Sequence, residues 1–325
     1  MEKIDLHVHY LTPAYRKALS DAGLDVPDGY PSPQWDAEEH VNMMERQGIG
    51  AALLSISSPH VNFGKREKAR ALARDVNEYG ADAVRRRPGR FGLLASLPLP
   101  DVEDSIEEIR YALDVLHADG LTLPTNAQGV YLGDPRLDPI FEELNARKAV
   151  AVFHPVKPSS VPAGVVEGLP IPFMEFFFDS TRTAMSLMIR EIPTRFPEIR
   201  FVIPHAGAFL SILADRVNVF FRTMATRKVD VYADLKWFYF DLAGPCLPRQ
   251  LAALIQLVDM ERLFYGSDYP YTPEPQVKLL AERLDGTTLF TAEERQKVYS
   301  ENALRLFPRL AQRHAAVAGA QRESA

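Results

Sequence analysis

One cysteine, Cys246, stands in 325 residues, so neither disulfides nor a thiolate cluster can hold this fold or build a metal site in it. Basic charge is not in excess. Lys and Arg number 37 against 43 Asp and Glu, a formal charge of -6. That leaves no electrostatic footprint for nucleic acid, and Arg85-Arg86-Arg87 reads as a solvated helix end. No apolar run approaches the ~20 residues of a membrane span, and the N-terminus lacks a signal-peptide pattern. A cytoplasmic chain that binds neither membrane nor nucleic acid is the expectation. No Gly-x-Gly-x-x-Gly follows an apolar run, which counts against an open dinucleotide-binding sheet. Low-complexity sequence is confined to the polar, Ala-rich stretch 313–325, expected to be a frayed helix or disordered.

What is present is an ordinary globular composition, 46% hydrophobic and 25% charged, with a regular rhythm. Short apolar runs lie at Ile4–Tyr10, Ile49–Ser57, Phe91–Leu97, Gly120–Leu123, Val150–Pro155, Ile199–His205, Trp237–Leu242 and Leu263–Asp268. Between most of them runs a stretch of helical period, such as Ala37–Gln47, Lys65–Arg86, Asp104–His117 and Leu137–Arg147. Ser105-x-x-Glu108 and Thr291-x-x-Glu294 have the form of capping boxes. Strand then helix, eight times over, predicts an α/β fold: a single (β/α)8 TIM barrel over residues 1–312. The open doubly wound sheet is the runner-up. Two Pro-rich interruptions, Ala22–Trp35 and Pro155–Pro172, follow strands one and five and are expected to wall a pocket at the barrel mouth.

In the first strand Ile4, Leu6 and Val8 alternate with Asp5, His7 and His9. Strand periodicity puts both imidazoles on one face and predicts the aliphatic face against helices. Two imidazoles two residues apart can share a divalent metal, or can be an ordinary hydrogen-bonded pair. Further polar groups end other strands: His154 on the fifth, His205 on the sixth and Asp268 on the eighth. Singly, these read as a core histidine, a helix cap and an Asx-turn residue. Jointly, five titratable groups ending apolar strands predict convergence on a cation that offsets their desolvation.

The sequence resembles the amidohydrolase superfamily, in the amidohydrolase-related branch with aminocarboxymuconate semialdehyde decarboxylase and γ-resorcylate decarboxylase. The resemblance runs from Ile4-Asp-Leu-His-Val-His9 through Tyr131-Leu-Gly-Asp-Pro-Arg-Leu-Asp-Pro139 and Arg195-Phe-Pro-Glu-Ile-Arg-Phe-Val-Ile-Pro-His-Ala-Gly207 to Tyr265-Gly-Ser-Asp-Tyr-Pro270. Within the branch, Pro33-x-Trp35, Leu54-Ser-Ile-Ser-Ser-Pro59 and Phe238-Tyr-Phe-Asp-Leu-Ala243 look most like the 6-methylsalicylate decarboxylases.

The resemblance implies one divalent metal held by His7, His9, His154 and Asp268, zinc first and manganese the alternative. It makes His205 a catalytic histidine beside the metal. Arg216, eleven residues on, matches an arginine that the branch supplies from a neighbouring subunit to a substrate carboxylate. Its alternative is a surface ion pair. That arginine and the apolar helix Phe209–Phe221 predict a homodimer or higher homo-oligomer. Gln34-Trp35 stands where the semialdehyde enzymes carry another arginine, which argues against a dicarboxylate. Arg182 is a second candidate for the carboxylate, with a helix-surface role as its alternative. Trp35, Trp237, Tyr10, Phe178 and Tyr239 are candidates for an aromatic pocket wall. His40, His60, His117 and His314 lack supporting context, His60 least clearly so, and Cys246 reads as inert packing.

The activity implied is non-oxidative decarboxylation of a small hydroxylated aromatic acid. Either Asp268 protonates the ring carbon, with His205 orienting the substrate, or His205 generates a metal hydroxide that attacks the ring. The rival class is a metal-dependent hydrolase, a lactonase or amidohydrolase. Against its binuclear members, the fourth strand, Gly120-Leu-Thr-Leu-Pro124, has no bridging lysine.

Overall fold

All eight apolar runs form strands: β1 Lys3–His9, β2 Ile49–Ser55, β3 Phe91–Ser96, β4 Gly120–Pro124, β5 Val150–His154, β6 Arg200–Ile203, β7 Tyr239–Asp241 and β8 Leu263–Phe264. The computed structural model describes residues 1–165, 167–223 and 229–323. The strands are parallel and paired in chain order. The ring closes through Leu6 N–H to Tyr265 O at 3.0 Å, Asp268 N–H to His7 O at 2.8 Å and His9 N–H to Tyr269 O at 2.8 Å. Helices follow the strands, giving the expected (β/α)8 barrel.

Helix boundaries follow local chemistry. Asp36 caps Ala37–Gln47 by accepting from the N–H groups of Glu38 and Glu39, and Gly48 at φ +66° ends it. Thr291 and Glu294 form the expected reciprocal box. Ser105 does not cap. The helix starts earlier, at Val102, with Asp101 accepting from Asp104 N–H, which leaves Ser105 buried inside it. Glu108 instead accepts from Arg74 and Asn77.

The first strand departs from simple alternation. Ile4 and Leu6 pack with Leu53, Leu94, Val152 and Phe264 in the cluster that also takes in Phe307 and Leu310, whereas Val8 belongs to the cluster shared with the helices. A register shift between Asp5 and Val8 causes this. The extra residue reverses the parity, as a bulge does, so the aliphatic face predicted as continuous is split. His7 and His9 still share a face, above the apolar plug. Gly266 makes room for them: a Cβ there would sit 2.9 Å from the His7 Cβ.

The two Pro-rich segments do meet over the barrel mouth. The turn Pro27–Gly29 lies against the segment before Ile171–Phe173, and a Cβ on Gly29, at φ +73°, would come within 3.3 Å of Pro170 Cα. Residue 166 of the second segment lies outside the described residues. The expected boundary at 312 falls inside a helix, Pro308–Glu323. Arg313 pairs with Asp119 at 2.8 Å and His314 Nδ1 bonds Gly89 O at 3.0 Å, so this stretch closes the barrel floor rather than fraying from 313. Residues 324 and 325 lie outside the described chain.

Candidate active site

The C-terminal ends of β1, β5 and β6 and the segment after β8 bring His7, His9, His154, His205 and Asp268 together. Ring centroids lie 4.9 Å apart for His7 and His9, 4.8 Å for His9 and His154, 5.4 Å for His7 and His154 and 4.9 Å for His7 and His205. One ligand atom from each of His7, His9 and His154 lies within 4.8 Å of the others. Asp268 Oδ1 sits 3.5 Å from His7 Nε2 and 3.3 Å from His9 Nε2.

Hydrogen bonds fix which nitrogen of each ring is free. His7 Nδ1–H donates to Asp241 Oδ2 at 2.9 Å. Ser55 Oγ gives its one proton to Val8 O at 2.9 Å, so it can only accept from His9 Nδ1–H, at 3.1 Å. His154 Nδ1–H donates to Pro155 O at 2.7 Å. In its neutral form each of the three rings therefore carries its lone pair on Nε2, and the Nε2 atoms of His7 and His9 are buried without a hydrogen-bond partner. Orphaned polar atoms of this kind are costly unless something binds them, and second-atom anchoring is how metal-ligating imidazoles are held. The donor set fits a divalent cation.

Electrostatics agree. Burial pushes the Asp268 carboxyl up, but contact with His9 and the charges of His7, His9 and His205 outweigh it and hold the group at about 2, ionised. Burial holds His154 well below its usual range, brings His205 down to about 4, and leaves His60 at about 3. Burial opposes a proton on His7 too, yet the Asp241 carboxylate overrides it and lifts the ring to about 9. A cation must displace that proton to use Nε2.

Backbone strain concentrates here. Asp268 has φ +61°, and His205, Ala206 and Ala208 have φ +56°, +51° and +52°, a conformation costly for residues with a Cβ. Gln250 Nε2 ties that turn by donating to the carbonyls of His205 at 2.5 Å and Ala208 at 3.1 Å. His205 stacks on Phe177 at 5.8 Å, and its Nδ1 is buried and unpartnered.

The pocket above the cluster measures about 280 Å³ and is lined by Asp28, Tyr30, Ser58, Phe176, Phe177 and Tyr271 together with His154, His205 and Asp268. It suits a single ring. A larger cleft, about 620 Å³, opens at the barrel floor among Arg147, Arg200, Arg305 and Arg309; its described lining holds no imidazole and a single orphaned acceptor, Asp119 Oδ1. The smaller cavity, where the imidazoles converge, is the candidate site.

Four candidates from the sequence lie elsewhere. Trp35 does not line the pocket: its Nε1–H donates to His40 Nδ1 at 2.9 Å and its ring meets Tyr10 and Tyr79. Trp237 precedes β7, at the wrong end of the strand, and packs against Phe201 and edge-on against Phe238. Arg182 is exposed and lies over Phe178. Arg216 is exposed too, over Phe220, and does not line its own pocket. The aromatic wall is built by Phe176, Phe177, Tyr30 and Tyr271 instead. Of the other histidines, His40 is a buried structural ring, while Cys246 is buried with its thiol pushed up to about 12.

Sequence reasoning missed Asp241 and Ser55. Asp241 is fully buried and receives His7 Nδ1–H, His205 N–H at 3.0 Å and Ala243 N–H at 3.1 Å. The signal was available: it is the one carboxylate ending the seventh apolar run.

The amidohydrolase family model Amidohydro_2 matches residues 4–309. A decarboxylase of Aspergillus niger, yanB, is 33% identical, the match covering 95% of this chain and 88% of that protein. The 6-methylsalicylic acid decarboxylase of Penicillium expansum is also 33% identical, covering 95% and 97%. The crystal structure of an amidohydrolase II superposes with a TM-score of 0.92 at 40% identity, covering 94% of this chain and 100% of that one. A dihydroxybenzoic acid decarboxylase from Polaromonas, with bound manganese and 2-nitroresorcinol, shares the fold at a TM-score of 0.80 and 22% identity, covering 94% and 97%. With these matches spanning nearly its whole length, the chain belongs to the amidohydrolase family.

Proposed function

We propose that the protein catalyses metal-dependent, non-oxidative decarboxylation of a small hydroxylated aromatic acid of the 6-methylsalicylate or hydroxybenzoate type, releasing CO2 and a phenol. One observation carries this reading: three imidazoles whose ligand atoms converge, beside an ionised Asp268, lie at the base of a pocket of about 280 Å³ walled by aromatic rings.

His7, His9, His154 and Asp268 would hold the cation, zinc first and manganese second, since imidazole and carboxylate suit both. Such a cation supplies Lewis acidity to phenolic and carboxylate oxygens. Phe176, Phe177 and Tyr271 confine the ring, and the unpartnered Nδ1 of His205 is left to meet a substrate oxygen. Asp268 takes the phenolic proton and returns it to the ring carbon bearing the carboxylate. The bond to the carboxylate then breaks, its electron pair restores the ring, and CO2 leaves; solvent returns a proton to the phenolate.

The reading includes a homodimer. Arg216 lies on an exposed helix face with Ile212, Val219 and Phe220, which are 66%, 59% and 45% exposed, an arrangement that suits contact with a second copy. There Arg216 would reach the partner's pocket and pair with the substrate carboxylate. Sedimentation at micromolar concentration should give a dimer; a monomer removes Arg216 from the site.

The functional test is a panel of hydroxybenzoates, 6-methylsalicylate among them, incubated with protein of known metal content. Mass spectrometry should find products short of CO2, with about one transition metal per chain by elemental analysis. Hydrolysis of lactones in the same panel, without loss of CO2, would reverse the assignment.

A further inference from the structure

Next to His154 but sharing no lining residue with the substrate pocket lies a second cavity, about 180 Å³. Pro124, the register partner of His154, and Val156 form its inner end; Gln128, Lys157 and Ser159, all exposed, form its outer end. Inside it stands His60, its ring 6.1 Å from that of His154. His60 is 2% exposed, and both its ring nitrogens are buried without a hydrogen-bond partner. Its backbone is held at φ +60°, a conformation that costs a residue with a Cβ.

An imidazole bare at both nitrogens bears a full desolvation penalty unless the cavity holds something that meets it. Of the other polar side chains, Asn126 donates to Asp179, Gln128 to Asn62 Oδ1 at 2.9 Å and Asn62 to Leu99 O at 2.6 Å, while Lys157 and Ser159 stand at the exposed outer end. Val61, Leu97, Leu99 and Val156 make the remaining wall aliphatic. At the inner end an occupant meets His60 and aliphatic groups alone, which suits a small, uncharged and weakly polar molecule. A neutral imidazole offers such a molecule one N–H and one lone pair. Carbon dioxide meets every condition, with poor acceptor oxygens for the N–H and an electrophilic carbon for the lone pair.

We propose that this cavity is a carbon dioxide site, in which CO2 formed beside His154 is received against His60 and leaves past Gln128 and Ser159 while the phenol still fills the substrate pocket. The assignment rests on the decarboxylase reading for its source of CO2. Two variants test it: Ala127→Leu, which fills the cavity from a lining residue, and His60→Leu, which removes both nitrogens at similar volume.

Infrared spectra of metal-loaded protein equilibrated with 13CO2 should show a bound antisymmetric-stretch band distinct from dissolved gas. Both variants should lose it, and His60→Gln, which keeps a donor and an acceptor, should retain it. In reverse carboxylation of the phenol, the KM for CO2 should rise about tenfold in both leucine variants. The KM for the phenol in Ala127→Leu should match the parent. A parent without the band, or leucine variants with the parent's KM for CO2, overturns the site. Should Ala127→Leu fail to fold, His60→Leu carries the comparison. The band is read without substrate: a band with no decarboxylation across the panel sinks the functional reading, whereas turnover without a band sinks only this one.

Discussion

Asp268→Asn should nearly abolish turnover, even when cation is added to saturation. The substitution removes two properties at once. An amide oxygen is a poorer donor than a carboxylate, so affinity for the cation should fall by about 10–100-fold. An amide also cannot accept a proton and return it to a ring carbon, which should lower kcat by a further 10²–10⁴-fold, roughly the worth of a positioned acid-base group. Fold should survive. Asp268 Oδ2 accepts from Thr272 Oγ1 at 3.2 Å, and an amide can keep that contact through its oxygen. Titrating metal content against rate separates the two losses. Recovery of near-parental kcat at saturating cation would mean that Asp268 is a ligand only and that the proton comes from elsewhere.

The barrel was legible because both of its signals are local. Apolar runs of four to nine residues and helical stretches between them carry their own periodicity, so strand order followed without any knowledge of tertiary contacts. His7 and His9 were legible for the same reason: a spacing of two on a strand survives the bulge at Asp5–Val8, since both lie beyond the parity reversal. The bulge itself was invisible, because alternation of Ile4, Leu6 and Val8 reads identically whether they face one layer or two. The Ser105 box failed where a better acceptor, Asp101, stood one turn earlier. The aromatic wall was misassigned for a geometric reason. Trp237 is large and near a strand, but it precedes β7, while a barrel site takes residues that follow strands. Phe176, Tyr30 and Tyr271 meet those criteria, yet Tyr30 and the helix start that carries Phe176 are placed by irregular segments that meet where Pro170 packs against Gly29.

Asp241 is the clearest case of a group that matters through others, and Asp241→Asn should uncouple folding from metal binding. In the parent, Oδ1 accepts from His205 N–H and Ala243 N–H while Oδ2 accepts His7 Nδ1–H at 2.9 Å. Asparagine can keep its oxygen on the two backbone donors, so the β7 end and the His205 turn should stay in place. Its NH2 must then face His7 Nδ1, where two donors cannot meet. Relief comes from the other tautomer, in which Nδ1 accepts and the proton sits on Nε2. That proton occupies the lone pair aimed at the cluster, and the amide no longer supplies the negative charge that makes His7 basic. The expected result is a cation affinity lowered by about 10–100-fold with little change in melting temperature of the metal-free protein. Asp241→Ala should behave differently: it strips acceptors from two buried N–H groups as well and should destabilise the metal-free fold by about 2–5 kcal/mol. Metal titration and chemical denaturation of the two variants, measured side by side, check this. Parental affinity in Asp241→Asn would show that His7 is oriented by packing alone, with Gly266 rather than Asp241 setting its ring.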